Sequence, residues 1–206
     1  MIGSLAVFLC LRYISVEKIQ RGLEMTYCEE ILLRDGRKCV LRNGEEKDAA
    51  AVLDCFNLTH EETDFLLSYP DENRLDSDAE KKFLQEKRES ADEIEIIAEV
   101  GGKIAGMAGF EKVGSAFKVR QRATLGICIA REYWRLGIGK ALVRACVQCA
   151  KKAGYKQLEL DVVAENTAAL RLYERAGFVE FGRNPRGFCS RLSGWQELIY
   201  MRLELD

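Results

Sequence analysis

The sequence has little of several things: its 206 residues include two prolines, one histidine and two tryptophans. With so little proline, and glycines scattered along the chain, no long flexible linker divides it. Its length suits one domain with a substantial core. A formal net charge of −2 leaves no broad basic surface for nucleic acid. No internal repeat or low-complexity tract appears. The first apolar run, Ile2 to Leu11 (IGSLAVFLCL), is roughly half of the ~20 residues a bilayer span requires. It also lacks the basic n-region and small-residue cleavage site of a secretory signal. Residues 1–24 read as an extension outside the fold, and residues 25–206 as a single domain.

Cysteine, in contrast, is plentiful: eight residues, at 10, 28, 39, 55, 128, 146, 149 and 189. Their spacing suggests no disulfide framework, and most lie among apolar residues, where a free thiol packs like a small hydrophobe. A reducing, cytoplasmic location is expected. Cys146-Val-Gln-Cys149 resembles half a metal site, but no second pair accompanies it. Leu142, Cys146, Cys149, Ala150 and Ala153 form one helical stripe, so core packing is the better reading and no metal is expected.

The pattern of elements is mixed. Lys38 to Arg42 reads as a strand, followed by a helix through NGEEKDAAAVLDCF. Ser77 to Glu89 reads as a surface helix capped by Ser77. Glu93 to Glu99, a Gly101-Gly102 turn and Lys103 to Phe110 make a β-hairpin. Arg122 to Ala130 is a central strand running into a helix that reaches about Ala153, with Arg144, Gln148, Lys151 and Lys152 on its polar face. Gly154 ends this helix. Gln157 to Val163 is a strand, Asn166 caps a helix that stops at Gly177, and Phe178 to Gly182 and Glu197 to Leu203 are the last strands. Hairpins first, then strand–helix–strand–helix–strand, imply an α+β fold with a mixed sheet.

At the strand-to-helix junction the chain reads REYWRLGIGKAL, with Gly137 and Gly139 where a helix should begin. Glycine weakens a helix. At a helix start, however, unpaired N–H groups point outward at the positive end of the dipole, and bare backbone lets an anion approach them. Arg135 and Lys140 add positive charge. A Walker loop is excluded, since Trp134 stands where it needs glycine and Ala141 where it needs Ser or Thr. A dinucleotide fingerprint has Gly137-x-Gly139 and Glu159, but Leu142 takes its third glycine position.

Two stretches in this order, LGICIAREYWRLGIGKAL and NTAALRLYERAGF, resemble the GNAT superfamily of acyl-CoA-dependent N-acetyltransferases. The resemblance runs from about Cys39 to Leu205. One departure is Trp134, where the family carries Gln or Arg. The resemblance implies a mostly antiparallel mixed sheet flanked by helices, and acetyl-CoA as co-substrate. It implies that the backbone of Arg135, Leu136, Gly137, Ile138, Gly139 and Lys140 holds the pyrophosphate. Cys128 and Ile129 would bond the pantetheine arm through their backbone, and Asn166 would contact CoA, with helix capping as its plain alternative. Tyr173 matches the family tyrosine that protonates the departing sulfur, against a plain packing role. Many members carry a carboxylate where this chain has Thr124; Glu99, Glu111 and Asp161 are substitutes, and no base is assigned.

The acceptor wall is expected from two segments. The first holds Glu61, Glu62, Asp64, Asp71 and Glu72 with Phe65 and Tyr69, the second Arg183, Arg186 and Arg191. Their opposite charges leave the acceptor's charge open. The lone His60 reads as structural. The expected function is direct acetyl transfer from acetyl-CoA to an amine, with a non-catalytic acyl-CoA-binding module on the same fold as the alternative. A nucleic-acid or membrane partner is not expected, and a homodimer stays open.

Overall fold

The computed structural model describes residues 24–73 and 75–206, so the expected extension lies almost wholly outside the described residues. The strands are β1 (Cys28–Leu32), β2 (Lys38–Asn43), β3 (Ile94–Val100), β4 (Lys103–Lys112), β5 (Arg122–Ile129), β6 (Gln157–Val163), β7 (Val179–Ser190) and β8 (Gly194–Glu204). The helices are α1 (Ala49–Glu62), α2 (Ser77–Glu89), α3 (Ile138–Lys152) and α4 (Thr167–Arg175). They build one eight-stranded sheet in the order β1-β2-β3-β4-β5-β6-β8-β7, as the mixed α+β reading requires. Every neighbouring pair is antiparallel except β5 with β6.

Gly101 and Gly102 adopt φ of 58° and 78° between the paired Val100 and Lys103. A two-residue hairpin loop with both φ positive matches strand twist, and only glycine takes it without strain. The β3 strand that leads into it packs on both faces. Ile94, Ile96 and Ala98 join the main core with Phe110, Leu125, Leu158 and Leu160, against Leu142, Cys146 and Cys149 of α3. On the other face Ile97, Met107 and Cys128 pack with Val52 and Cys55 of α1 and Leu84 of α2. The α3 stripe is therefore core, with Arg144, Gln148, Lys151 and Lys152 exposed opposite it.

Three features depart from the expected elements. The cap of α2 is Asp76, not Ser77: its Oδ1 accepts N–H bonds from Asp78 at 3.1 Å and Ala79 at 2.8 Å, and a carboxylate at a helix start also suits the dipole. β1 went unanticipated because CEEIL is too polar to read as a strand; it is a sheet edge, and its alternating partial exposure reflects that. The last two strands are longer than their apolar runs, because they pair with each other far beyond the core. Phe188 stands opposite Gln196 and Ser190 opposite Gly194.

Candidate active site

Parallel pairing between β5 and β6 covers only Arg122, Ala123 and Thr124 against Gln157, Leu158 and Glu159. Both strands continue, β5 to Ile129 and β6 to Val163, so the sheet splits between them. The other edge of β5 stays laddered to β4 as far as Gly106 opposite Ile129, and Ala130 N–H donates to Ala105 O at 2.9 Å. Antiparallel groups alternate in direction. Gly126, Cys128 and Ala130 therefore spend their main-chain groups on β4, while Ile127 and Ile129 turn theirs into the split. This corrects the expectation for Cys128: Ile127 takes its place beside Ile129. Strand parity alone would have identified it.

The turn leaving β5 is a short 3-10 segment, Arg131–Tyr133, and then an unusual backbone. Arg135 takes φ of 63°, and Gly137, the residue before α3, takes 107°. A positive φ on a non-glycine residue is uncommon and strained, a feature that clusters at ligand-holding turns. Two contacts hold it. Arg34, in the β1–β2 hairpin, donates its N–H to Leu136 O at 3.1 Å and its guanidinium to Arg135 O at 3.2 Å. Trp134 Nε1 donates to Ile129 O at 2.7 Å, so the departure from Gln or Arg ties the turn back onto β5. With the carbonyls held, the N–H groups of Arg135, Leu136, Gly137, Ile138, Gly139 and Lys140 make no hydrogen bond among the described residues. Such an array at a helix start suits an anion.

The two glycines have different reasons. Gly137 has open space around a notional Cβ, and its need is the positive φ. A Cβ at Gly139 would meet Leu172 Cδ2 at 3.2 Å and Ile129 Cδ1 at 3.3 Å. Gly139 thus lets the end of β5, the start of α3 and the end of α4 converge. Asn166 Oδ1 accepts from Ala169 N–H at 3.1 Å, confirming the cap. Two residues before its end, α4 carries Tyr173, buried beside Phe178 with ring centroids 5.9 Å apart. Burial pushes this phenol well above its usual value, and its hydroxyl makes no hydrogen bond among the described residues.

The carboxylates separate by partner. Glu99 is bonded to Arg42 at 2.8 Å, and Glu111 to the buried Lys87 at 2.8 Å. Glu159 forms an ion pair with Arg122. It stands beside Thr124 in the last pair before the split, one strand over from where a carboxylate was expected. Asp161, two residues further into the split and opposite Tyr200, has no cationic partner among the described residues. Its side chain reaches solvent, yet surrounding protein partly desolvates it, and this, then the charge of Glu159, pushes its pKa up to about 6. Cys128, beside Thr59 on the α1 face, is pushed far up by burial and so resists forming a thiolate. His60 Nδ1 lies 2.7 Å from Phe56 O, and burial lowers its pKa, which fits a structural role.

The two expected acceptor segments meet. Tyr69 Oη donates to Asp64 Oδ1 at 2.9 Å and accepts from Arg191 N–H at 2.7 Å; the Ser190 hydroxyl donates to Asp64 Oδ2. Arg191 pairs with Asp71 at 2.8 Å and lies over the Tyr69 ring at 4.2 Å. Arg183 is neutralised by Glu180 and Glu197. Much of the charge that made these segments conflict is cancelled within the fold. Two hollows of about 360 and 480 Å³ lie elsewhere, around Lys103 and Tyr133, and no residue of α3, α4 or β6 lines them. The candidate site is the opening where β5 and β6 part.

The split, the N–H array and the converging α4 define a fold class that the comparisons name. The family model described as "Acetyltransferase (GNAT) family" matches residues 55–178, and the chain belongs to that family. It is similar to human N-acetyltransferase 8, 32% identical over 109 residues, 52% of this chain and 46% of that protein. It also resembles the [Ribosomal protein bS18]-alanine N-acetyltransferase of Escherichia coli (strain K12), 34% identical over 97 residues, 45% of this chain and 65% of that one. The matched stretch thus spans about half the length of the first curated relatives. Among solved structures, a GNAT-family acetyltransferase from Streptococcus pneumoniae superposes with a TM-score of 0.77 at 30% identity, covering 81% of this chain and 99% of its own. The fold is shared with yncA from Salmonella typhimurium, solved with acetyl-CoA, at a TM-score of 0.73 and 20% identity over 82% of this chain and 94% of that one. No described helix is long and apolar enough to cross a membrane.

Proposed function

We propose that the protein transfers the acetyl group of acetyl-CoA directly to a primary amine. The observation that carries this reading is the run of unpaired N–H groups from Arg135 to Lys140, placed where β5 parts from β6. That run suits the CoA pyrophosphate, while the inward-turned backbone of Ile127 and Ile129 suits the amide-bearing pantetheine arm. Asn166 caps α4 through Oδ1 and keeps its Nδ2 for CoA. The related fold solved with acetyl-CoA supports the same donor.

Two proton transfers accompany the chemistry. An alkylammonium has a pKa of about 10, so the acceptor first loses one proton to water and attacks as the neutral amine. Asp161, ionised above pH of about 6 and without a cationic partner, takes the nitrogen's proton as the N–C bond forms and the nitrogen becomes more acidic. Tyr173, kept protonated by burial, gives a proton to the sulfur as the C–S bond breaks. Each such group is worth roughly 10²–10⁴ in rate. Attack is direct rather than through Cys128, whose buried thiol resists ionisation. Relatives named for α-amino acids and for a ribosomal-protein alanine support a primary amine as acceptor. A reducing cytoplasmic setting fits the seven described cysteines, all free.

Titration calorimetry with acetyl-CoA and thiol release with an amine panel test this reading. We expect micromolar-range binding and amine-dependent release. Binding without release on any amine would favour a non-catalytic acyl-CoA-binding module, and no binding at millimolar acetyl-CoA would overturn the assignment.

A further inference from the structure

The acceptor side of the split is enclosed by a ring of chain. Beyond the end of β5, Arg131 N–H donates to Glu62 Oε2 at 2.6 Å, which fixes the end of α1 there. Two residues later Asp64 is bonded to Ser190 at the tip of the β7–β8 hairpin, and Tyr69 and Asp71 hold Arg191 beside it. Two residues reach at most about 7 Å. The gap between the end of β5 and the hairpin tip is therefore bridged by Glu62, Thr63 and Asp64. From the tip, β8 returns beside β6, with Leu198 opposite Val163 and Tyr200 opposite Asp161. β5, this bridge, the hairpin and β6 close a circuit around the opening.

The circuit also holds a polar group without a partner. Gln196 is 8% exposed, and its Oε1 has no hydrogen-bond partner among the described residues. Alternation along β8 places Gln196 on the face of Leu198 and Tyr200, the face that also carries Asp161. A buried carbonyl oxygen without a donor is costly and uncommon in native folds. Gln196 lies four positions from Tyr200, about 13 Å at strand rise. A donor belonging to the same molecule as the amine at Asp161 would meet Gln196 several residues along an extended chain.

Resting on the transferase reading, we infer that the acceptor is an extended peptide entering amino end first, its α-amine at Asp161 and a backbone N–H further along bonded to Gln196. A lysine in mid-chain needs peptide on both sides of it, which the bridge from Glu62 to Asp64 obstructs. A free amino acid is too short to reach Gln196.

Thiol release is compared for three acceptors: a hexapeptide with a free α-amine, the same length N-terminally acetylated with a central lysine, and a lysine-free dipeptide. We expect kcat/KM for the free hexapeptide to exceed both others by about tenfold or more. Gln196→Leu should raise KM for the hexapeptide, leave kcat in place and leave the dipeptide unchanged. Asp64→Ala, which opens the bridge, should raise the rate on the central lysine. Equal rates on the blocked lysine peptide and the free hexapeptide would overturn the inference, as would a Gln196→Leu variant with unchanged hexapeptide KM. Either result leaves the transferase reading standing. No release from any acceptor would overturn that reading and this inference with it.

Discussion

On the α3 side of the split most of the groups proposed to hold the donor belong to the main chain, with Asn166 and Tyr173 as side-chain additions; on the α1 side the candidate groups all belong to side chains. The N–H groups of Arg135 to Lys140 and the inward backbone of Ile127 and Ile129 come from fourteen consecutive residues, 127 to 140, shaped by two positive-φ positions and the grip of Arg34. The other side is assembled from Glu62, Asp64 and Tyr69, from Asp161, and from Ser190, Arg191 and Gln196, which meet only through folding. A backbone site tolerates exchange of side chains as long as N–H directions persist, and Trp134 shows it: an indole replaces Gln or Arg and still fastens the turn. A side-chain site has no such tolerance. On the proposed reading, the donor half is set by local backbone and the acceptor half by long-range pairing.

Substitutions on the two sides should separate accordingly. The largest effects are expected at the two proposed proton carriers. Tyr173→Phe should lower kcat by about 10²-fold or more, within the usual range for a positioned acid, with acetyl-CoA affinity by calorimetry unchanged. Asp161→Asn should lower kcat comparably and abolish the acidic limb of the rate profile, which in the unaltered protein should fall as pH drops through about 6. The sign for stability is opposite. A carboxyl whose folded-state pKa is raised above its unfolded value of about 4 favours the fold when protonated, so its contribution is lost as pH rises from about 4 to about 6. Asp161→Asn should therefore melt no lower than the parent at pH 7, which distinguishes a lost base from a damaged fold.

Next comes the backbone. Gly137→Ala forces an L-residue to φ of 107°, and acetyl-CoA should bind about tenfold more weakly in calorimetry, with kcat at saturation little changed. The smallest effect is expected at Cys128, whose side chain faces α1 and whose backbone is committed to β4. Cys128→Ala should keep near-parental turnover and lose about 1 kcal/mol of stability in denaturant melts. A large loss of turnover there would blur the division between the two sides.

The same division explains what could be read from the sequence. Helix α3, its buried stripe and exposed face, the Gly101-Gly102 hairpin and the glycine turn follow from periodicity and local turn chemistry, and the structure has them in place. β1 was hidden because an edge strand need not be apolar. Ile127 rather than Cys128 turns its backbone toward the split, which the motif does not reveal because it gives the strand, not the parity of its hydrogen bonds. The acceptor segments looked electrostatically contradictory because pairing of Arg191 with Asp71 and Glu72, some 120 residues apart, leaves no trace in spacing. Spacing does not separate Asp161 from Glu99 and Glu111; only the fold pairs the other two with Arg42 and Lys87.

Arg34 ties the opposite edge of the sheet to the helix start. Its amide hydrogen is shielded by Leu136 O only while the turn keeps its shape. Whatever ligand stiffens the turn also stiffens the β1–β2 hairpin, by thermodynamic reciprocity. Slowed deuterium uptake at this one amide would report occupancy of the turn, and losing the first hairpin should weaken the hold on whatever the turn binds.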